Sequence, residues 1–377
     1  RKGIKAGRSN DCEPMHSNRM ANSPLFDADI IPINSLDVFD KEKLTFSVID
    51  EYEFKQIPSL PYTSESQIIF DIAAQPNSFL SPDIYIDVIL RVSKKAVDKD
   101  EYVELKADDK VTLDCLPFHS LWSTAQISMN DVLINNKNDK YPYLAYLDRI
   151  HLTDTEQHKI HSDLELGGAN EAGMGGDYDE SSVAQKNRKK LITSNQDLYL
   201  RGKLVLPILQ QPRYFLPSVN VKIQLSQTSN PFRVMTEDSA LDIKVDIKSV
   251  HLVGRRLIPN AQLLLDTMSA LRHSPARYPI LRFEPQSFEI PKGGTSGEKI
   301  LNLPTSKPPR MVFLTCFNTE GVHGKSTISA YRAKASAIEA AYVQIEDQRY
   351  PNQPYDCTSR EGQIKLFADY KRNTSQL

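Results

Sequence analysis

The chain is poor in cysteine and tryptophan, and it has no long apolar run. Its four cysteines, Cys12, Cys115, Cys316 and Cys357, are scattered, with no C-x-x-C pair among them. That spacing argues against a structural zinc site or a dithiol redox pair. Cys115 and Cys316 lie inside apolar runs, where a thiol behaves as a small hydrophobe, and a reducing compartment is the expectation. No stretch reaches the ~18 consecutive apolar residues of a membrane-spanning helix. An excess of one charge is also missing. Forty-six Lys and Arg stand against 48 Asp and Glu, a formal net charge of −2. This excludes a strongly basic nucleic-acid binder as a description of the whole chain. Catalytic signatures are absent as well: there is no G-x-S-x-G elbow and no H-E-x-x-H. Ser, His and Asp occur without the local arrangement that would define a triad. The sequence opens at Arg1 with no apolar leader, which reads as a fragment or a processed product.

What is present is β-rich. With 377 residues, about two domains are expected. The 23 Pro and 16 Tyr against 15 Gly suit many strands joined by turns. Residues 1 to about 48 are polar and aperiodic. Strand signals then accumulate at 67–73, 83–93, 110–116, 124–135, 203–209, 219–227 and 241–255. In 83–93, Ile84, Ile86 and Val88 alternate with Tyr85, Asp87 and Ile89; in 241–255, Leu241, Ile243, Val245 and Ile247 alternate with charged residues. Period 2 with β-branched residues marks a strand buried on one face. Strands are also expected in 276–293, 309–317 and 341–347. The pair Asn130-Asp131 between apolar runs reads as a tight hairpin turn. The period changes to that of a helix at Tyr141–Ile150 and at 261–273, the first with Pro142 in its opening turn. A Gly-rich acidic stretch (167–182) and a basic run, Lys186 to Lys190, read as an exposed loop. The pattern predicts a mainly β protein of sandwich or barrel type.

Two stretches invite a chemical reading. In 311–327 an apolar run leads to Gly324-Lys325-Ser326, like a phosphate-binding loop, but the glycine required five residues earlier is Thr319. An ordinary surface loop is the better reading. Asp154, His158 and His161, with His151 nearby, have metal-ligand spacing on a helix, yet the segment is polar throughout and reads as a solvated helix end. Arg213-Tyr214-Phe215 could stack on bases, but the residues fit a strand edge or an interface better. No catalytic, cofactor or metal residue is therefore assigned.

The string "FHSLWSTAQISMNDVLI" (118–134), followed by "YPYLAYLDRI" (141–150), resembles the hexon-like major capsid protein of Maverick/Polinton-type elements and adintovirus-like viruses. Further similarity lies in "ESQIIFDIA" (65–73), "RYFLPSVNVKIQLSQTSNPFRVM" (213–235), "ARYPILRFEPQSFEIPKG" (276–293) and "LPTSKPPRMVFLTCFNTEGVHG" (303–324), in the same order. The resemblance spans about 65 to 350. It implies a double jelly roll, two antiparallel eight-stranded β-sandwiches with short helices in loops. The division would be an N-terminal arm (1–48), a first roll (49–238) and a second roll (239–377) short of its last strands. It further implies a homotrimer, forming pseudo-hexameric capsomers that tile an icosahedral virion shell, made and assembled inside the host cell. The partners would be neighbouring capsomers and a penton or minor capsid protein. On that reading Trp122, Tyr141, Tyr143, Tyr214 and Phe215 are the expected interface anchors. Arg1, Lys2, Lys5 and Arg8 form an arm for packaged DNA or a neighbouring capsomer. One departure is local: the family's Asn-Gly turn is Asn130-Asp131 here, which leaves that hairpin's geometry open. The alternatives are a β-sandwich receptor- or glycan-binding module and a single-roll minor capsid or penton protein.

Overall fold

The computed structural model describes residues 48–63, 66–96, 100–135, 140–151, 177–193, 197–238, 240–287, 289, 312–332, 339–345 and 348–374. Its centre is an antiparallel sandwich. One sheet runs in the order β1 (Val48–Gln56), β12 (Ile243–Pro259), β4 (Tyr85–Lys95), β5 (Tyr102–Glu104), with β3 (Phe79–Leu80) also on β12 and β9 (Leu198–Lys203) on β4. The facing sheet runs β2 (Ile68–Ile72), β10 (Val221–Gln227), β7 (Trp122–Met129), β8 (Val132–Leu133). A short pair, β6 (Val111–Leu113) with β11 (Val234–Thr236), lies beside them.

The two sheets enclose one core. Ile86, Val88, Leu90 and Val92 of β4 and Val245, Val250 and Leu252 of β12 belong to the same buried cluster as Ile68, Phe70 and Ile72 of β2, Ile223 and Leu225 of β10, and Ile127 of β7. The alternation read in β4 and in β12 is thus the inward face of a sandwich. On β12 it needs a correction of phase. Inward residues are odd-numbered as far as Val245 and even-numbered at Val250 and Leu252. The switch is a β-bulge: Ile247 pairs with Leu90 and Ser249 with Ile89, which leaves Lys248 extra on its strand.

The hairpin turn has resolved geometry. Asn130 and Asp131 both have positive φ, 47° and 64°, between the pairs Met129–Val132 and Ser128–Leu133. That is the two-residue turn whose twist matches the flanking strands, built without the usual glycine. Asn130 also anchors it: its N–H donates to the Asn220 carbonyl (3.0 Å), and its side-chain oxygen accepts from the Asn220 N–H (2.9 Å).

Helices fill the edges. They are α1 (Pro117–Ser120), α2 (Tyr141–His151), α3 (Val183–Thr193), α4 (Pro207–Gln210), α5 (Asn230–Arg233), α6 (Ala261–His273), α7 (Thr319–Val322) and α8 (Arg360–Thr374). Both predicted helices are found. The basic run Lys186–Lys190 is not a loop: it lies on α3, which packs on β6 and buries Arg188. The strand expected at 203–209 ends at Lys203, because Pro207 opens α4 at a first-turn position where its missing N–H is harmless. Residues 276–287 carry no strand, and Pro279 and Pro285 explain why, since neither can donate to a ladder. Residues 312–317 also run without a regular strand; nothing in their surroundings explains it. The last expected strand is β13 (Ala340–Ile345), paired with β14 (Gln348–Asp356), against which α8 packs.

Replacing Asp131 with Gly should relieve a left-handed backbone position that an L side chain adopts at a cost. The expected gain is about 0.5–1 kcal/mol, read as a higher urea midpoint at unchanged slope.

Candidate functional site

Of the expected interface anchors, Trp122, Tyr141 and Phe215 are core residues, exposed by 0%, 3% and 0%. This corrects the sequence reading: a side chain enclosed by its own sandwich has no surface left for a second subunit. Trp122 meets Phe118 edge-on, ring centroids 6.4 Å apart. The Phe118 ring in turn fills the space beside Gly202, where a Cβ would come within 2.3 Å of it. Tyr143 is partly buried in an aromatic cluster, against Phe232, Phe317 and Tyr331. Tyr214 is exposed (40%) and stays available for contact. The arm residues Arg1, Lys2, Lys5 and Arg8 lie outside the described residues, as do Asp154, His158 and His161.

Tyr141 belongs to a buried polar chain. His119 Nδ1 is 3.0 Å from the Tyr141 hydroxyl, and His119 Nε2 is 3.3 Å from Arg149 Nη2. A guanidinium can only donate, so Nε2 accepts and Nδ1 carries the proton. The Tyr141 oxygen also accepts from the Val205 N–H at 3.3 Å. With both ring nitrogens engaged, His119 is placed to hold α1 against α2, not to move protons for a substrate.

The loop resembling a phosphate site is not one. No strand leads into it, and the helix within it is the single turn α7, capped by Asn318. Lys325 is paired with Glu320 at 2.6 Å. Gly324 has φ +86° and reverses the chain.

Residues 326–332, beyond that reversal, form a strap on the sandwich. Ser326 accepts at its carbonyl from the Thr236 N–H (2.8 Å), and the two hydroxyls are 2.9 Å apart. The backbone of Ile328 forms an antiparallel bridge with that of Asp177, and Arg332 pairs with the Asp177 carboxylate. Tyr331 is fully buried, stacked on Tyr146 and edge-on to Phe232. Ser329 and Ala330 bond the buried carboxylate of Asp114. Sequence reading missed Asp114 because it sits in an apolar run, just after β6, with no motif around it. Beside the strap, a cavity of about 300 Å³ is lined by Asp177, Asp179, Glu180, Glu237 and Thr327 among others. Its carboxylates are already engaged: Asp177 by Arg332, Glu180 by Lys189, Glu237 by Lys110, and Asp179 by Ser181. Among the described residues no cluster has metal-holding geometry, and no helix is long and apolar enough to cross a membrane.

No family model matches the chain. An uncharacterized protein of Caenorhabditis elegans is 21% identical over 240 residues, which make up 63% of this chain and 55% of that protein. Among solved structures, the chain is similar to one from the Sputnik virophage determined by cryo-EM, with 10% identity over 59% of this chain and 51% of that one and a TM-score of 0.43. It is also similar to the crystal structure of the mavirus major capsid protein, with 13% identity over 70% of this chain and 55% of that one and a TM-score of 0.39. The chain thus spans about half the length of the proteins it matches.

Tyr141→Phe should leave the Val205 N–H and the His119 Nδ1–H without their acceptor. The expected cost is about 1–3 kcal/mol of unfolding free energy, with the oligomeric state unchanged. A variant of wild-type stability but altered assembly would return Tyr141 to the interface.

Proposed function

We propose that the chain is a structural capsid protein of the hexon-like kind, which acts by self-association and catalyses no reaction. One observation carries the reading. The strings between 118 and 235 that resemble the family's sequence fall in order on neighbouring pieces of a single antiparallel sandwich. Residues 118–134 supply α1, β7 and the hairpin; 141–150 supply α2; and 213–235 supply β10 and α5. Elements that meet around one core are the ones a shared fold constrains together. The core role of Trp122 and Phe215 fits this, since the resemblance then tracks packing and not a catalytic site.

The assembled form is a homotrimer that makes pseudo-hexameric capsomers of an icosahedral shell, with a penton or minor capsid protein at the vertices and the virion as its location. The division into two rolls is part of the proposal, with one change to the sequence reading. Ile243–Pro259 ladders with β4 and β1, so the boundary between the rolls is placed after β12, not at 238. The arm, with Arg1, Lys2, Lys5 and Arg8, contacts packaged DNA or a neighbouring capsomer. Tyr214 and the partly buried Tyr143 are the surviving aromatic anchors. A trimer contact of obligate type buries over ~2,000 Å², far more than two tyrosines supply.

Light scattering at micromolar concentration should give a trimer, and Tyr214→Ala should weaken it without lowering the melting temperature. A stable monomer that binds a glycan array would replace this reading with a binding module, and pentamers would favour a penton protein. Deleting residues 1–20 should leave the trimer intact and reduce particle yield in an assembly reaction viewed by negative stain. Undiminished yield would remove the arm from assembly.

A further inference from the structure

The seat of the strap is closed by a carboxylate with an unusual set of partners. Asp114 follows β6 and is 2% exposed. The Cys115 N–H reaches its Oδ1 at 2.7 Å; the Ser329 hydroxyl lies 2.8 Å from Oδ1 and 3.0 Å from Oδ2; and the Ala330 N–H reaches Oδ2 at 3.1 Å. These donors are all neutral. The cationic side chain that acts on Asp114 is Arg188 of α3, which donates through Nε to the Leu113 carbonyl. Two of the three donor groups, Ser329 and Ala330, belong to the strap, so the docked strap supplies most of the bonds that hold the buried carboxylate. Strap and seat therefore share one buried ionisable group, and lifting the strap returns it to water.

We propose that Asp114 and residues 326–332 form a proton-sensitive latch, in which the strap holds most firmly when Asp114 is protonated and loosens when it ionises. The device stands whether or not the chain assembles into a shell. Burying a carboxylate among neutral donors penalises its charged form. Burial pushes the Asp114 carboxyl above its ordinary value, outweighing the bonds from Ser329, Cys115 and Ala330 and the charge of Arg188. With the strap lifted, the carboxyl returns toward its ordinary value of 3.8. Docking is then strongest below that value and weakens as pH rises through the docked one; each unit between the two is worth about tenfold in docking. The other groups facing the carboxyl are Cys115, Arg188 and the phenols of Tyr143, Tyr146 and Tyr331. Burial pushes Tyr146 up to about 12 and the other two phenols up as well, so all three stay neutral across the working range.

Hydrogen exchange on the full chain from pH 4.5 to 8 tests this, with rates corrected for intrinsic pH dependence. The amides to follow are Ala330, Tyr331 and Arg332, which donate to Asp114, to the Ser329 hydroxyl and to the Ser329 carbonyl. Their protection should fall about tenfold or more as pH rises, while amides of β4 and β12 hold theirs. Asp114→Asn should flatten the dependence. Should that variant fail to fold, Ser329→Ala decides: it removes a donor to the ionised form, so the fall should shift to higher pH. Cys115→Ala should keep the wild-type profile. Strap protection that is constant with pH, an unshifted profile in Ser329→Ala, or a flat one in Cys115→Ala would overturn the latch.

Discussion

A two-layer sandwich requires each central strand to keep its apolar side turned inward for its whole length, and β12 meets this only through an extra residue. At seventeen residues and ~3.3 Å per residue it is about 56 Å long. It pairs with β4 over its first part, with β1 over its last, and with β3 at Arg256 and Leu257. A strand this long with unbroken alternation accumulates twist until its inward face leaves the core. The bulge at Lys248 bends the strand and resets the phase, so Ile243 and Val245 point to the same core as Val250 and Leu252. Without that reset, one end of the strand would bury Asp and Lys.

The first part of β12 meets a second demand. It has β4 on one side, while β1 reaches only its later residues, so at Val245 the other edge needs a substitute partner. Side chains of α5 provide it. The Val245 N–H donates to Asn230 Oδ1 at 3.2 Å, and its carbonyl accepts from Arg233 Nη1 at 3.3 Å. Arg233 is 2% exposed and also donates to the Thr228 carbonyl and to Gln227 Oε1. Burial depresses its guanidinium to about 10. A cation held in the core by carbonyls is expensive, and here it satisfies a strand edge that would otherwise lie buried and unbonded. The same side chains pin α5, and with it Phe232, where Tyr331 of the strap docks.

Much of the sandwich was legible because it depends on period alone. β4, β7, β10 and β12 alternate, and α2 and α6 carry the spacing of helices. What failed is what period cannot encode. The bulge at Lys248 is invisible in a run that alternates without a break up to Ile247. The helix α3 is too polar and basic for an apolar stripe to mark it, yet it buries Gln185, Arg188 and Ile192. The segments at 276–287 and 312–317 have the residues of strands, and the first is interrupted by prolines. The anchors Trp122, Tyr141 and Phe215 were misplaced by a general ambiguity: large aromatics mark cores and interfaces equally, and only the enclosing contacts tell them apart. Asp114 carried no sequence signal at all, since its partners on the strap lie 215 and 216 residues away.

That distance bears on why a carboxylate stands where a leucine would pack. An apolar residue following β6 would favour burial of the aromatic strap in many orientations and registers. Three directed donors fix one of them: Ser329 must present its hydroxyl and Ala330 its N–H, which sets Tyr331 against Tyr146 and Arg332 against Asp177. Polar groups inside a core cost stability relative to well-packed hydrophobes, and a unique arrangement is the gain best attested for keeping them. In a chain whose halves join through a strap distant in sequence, register is what nonspecific packing cannot supply. An acid supplies it with a dependence on protons that an amide or a hydroxyl would lack.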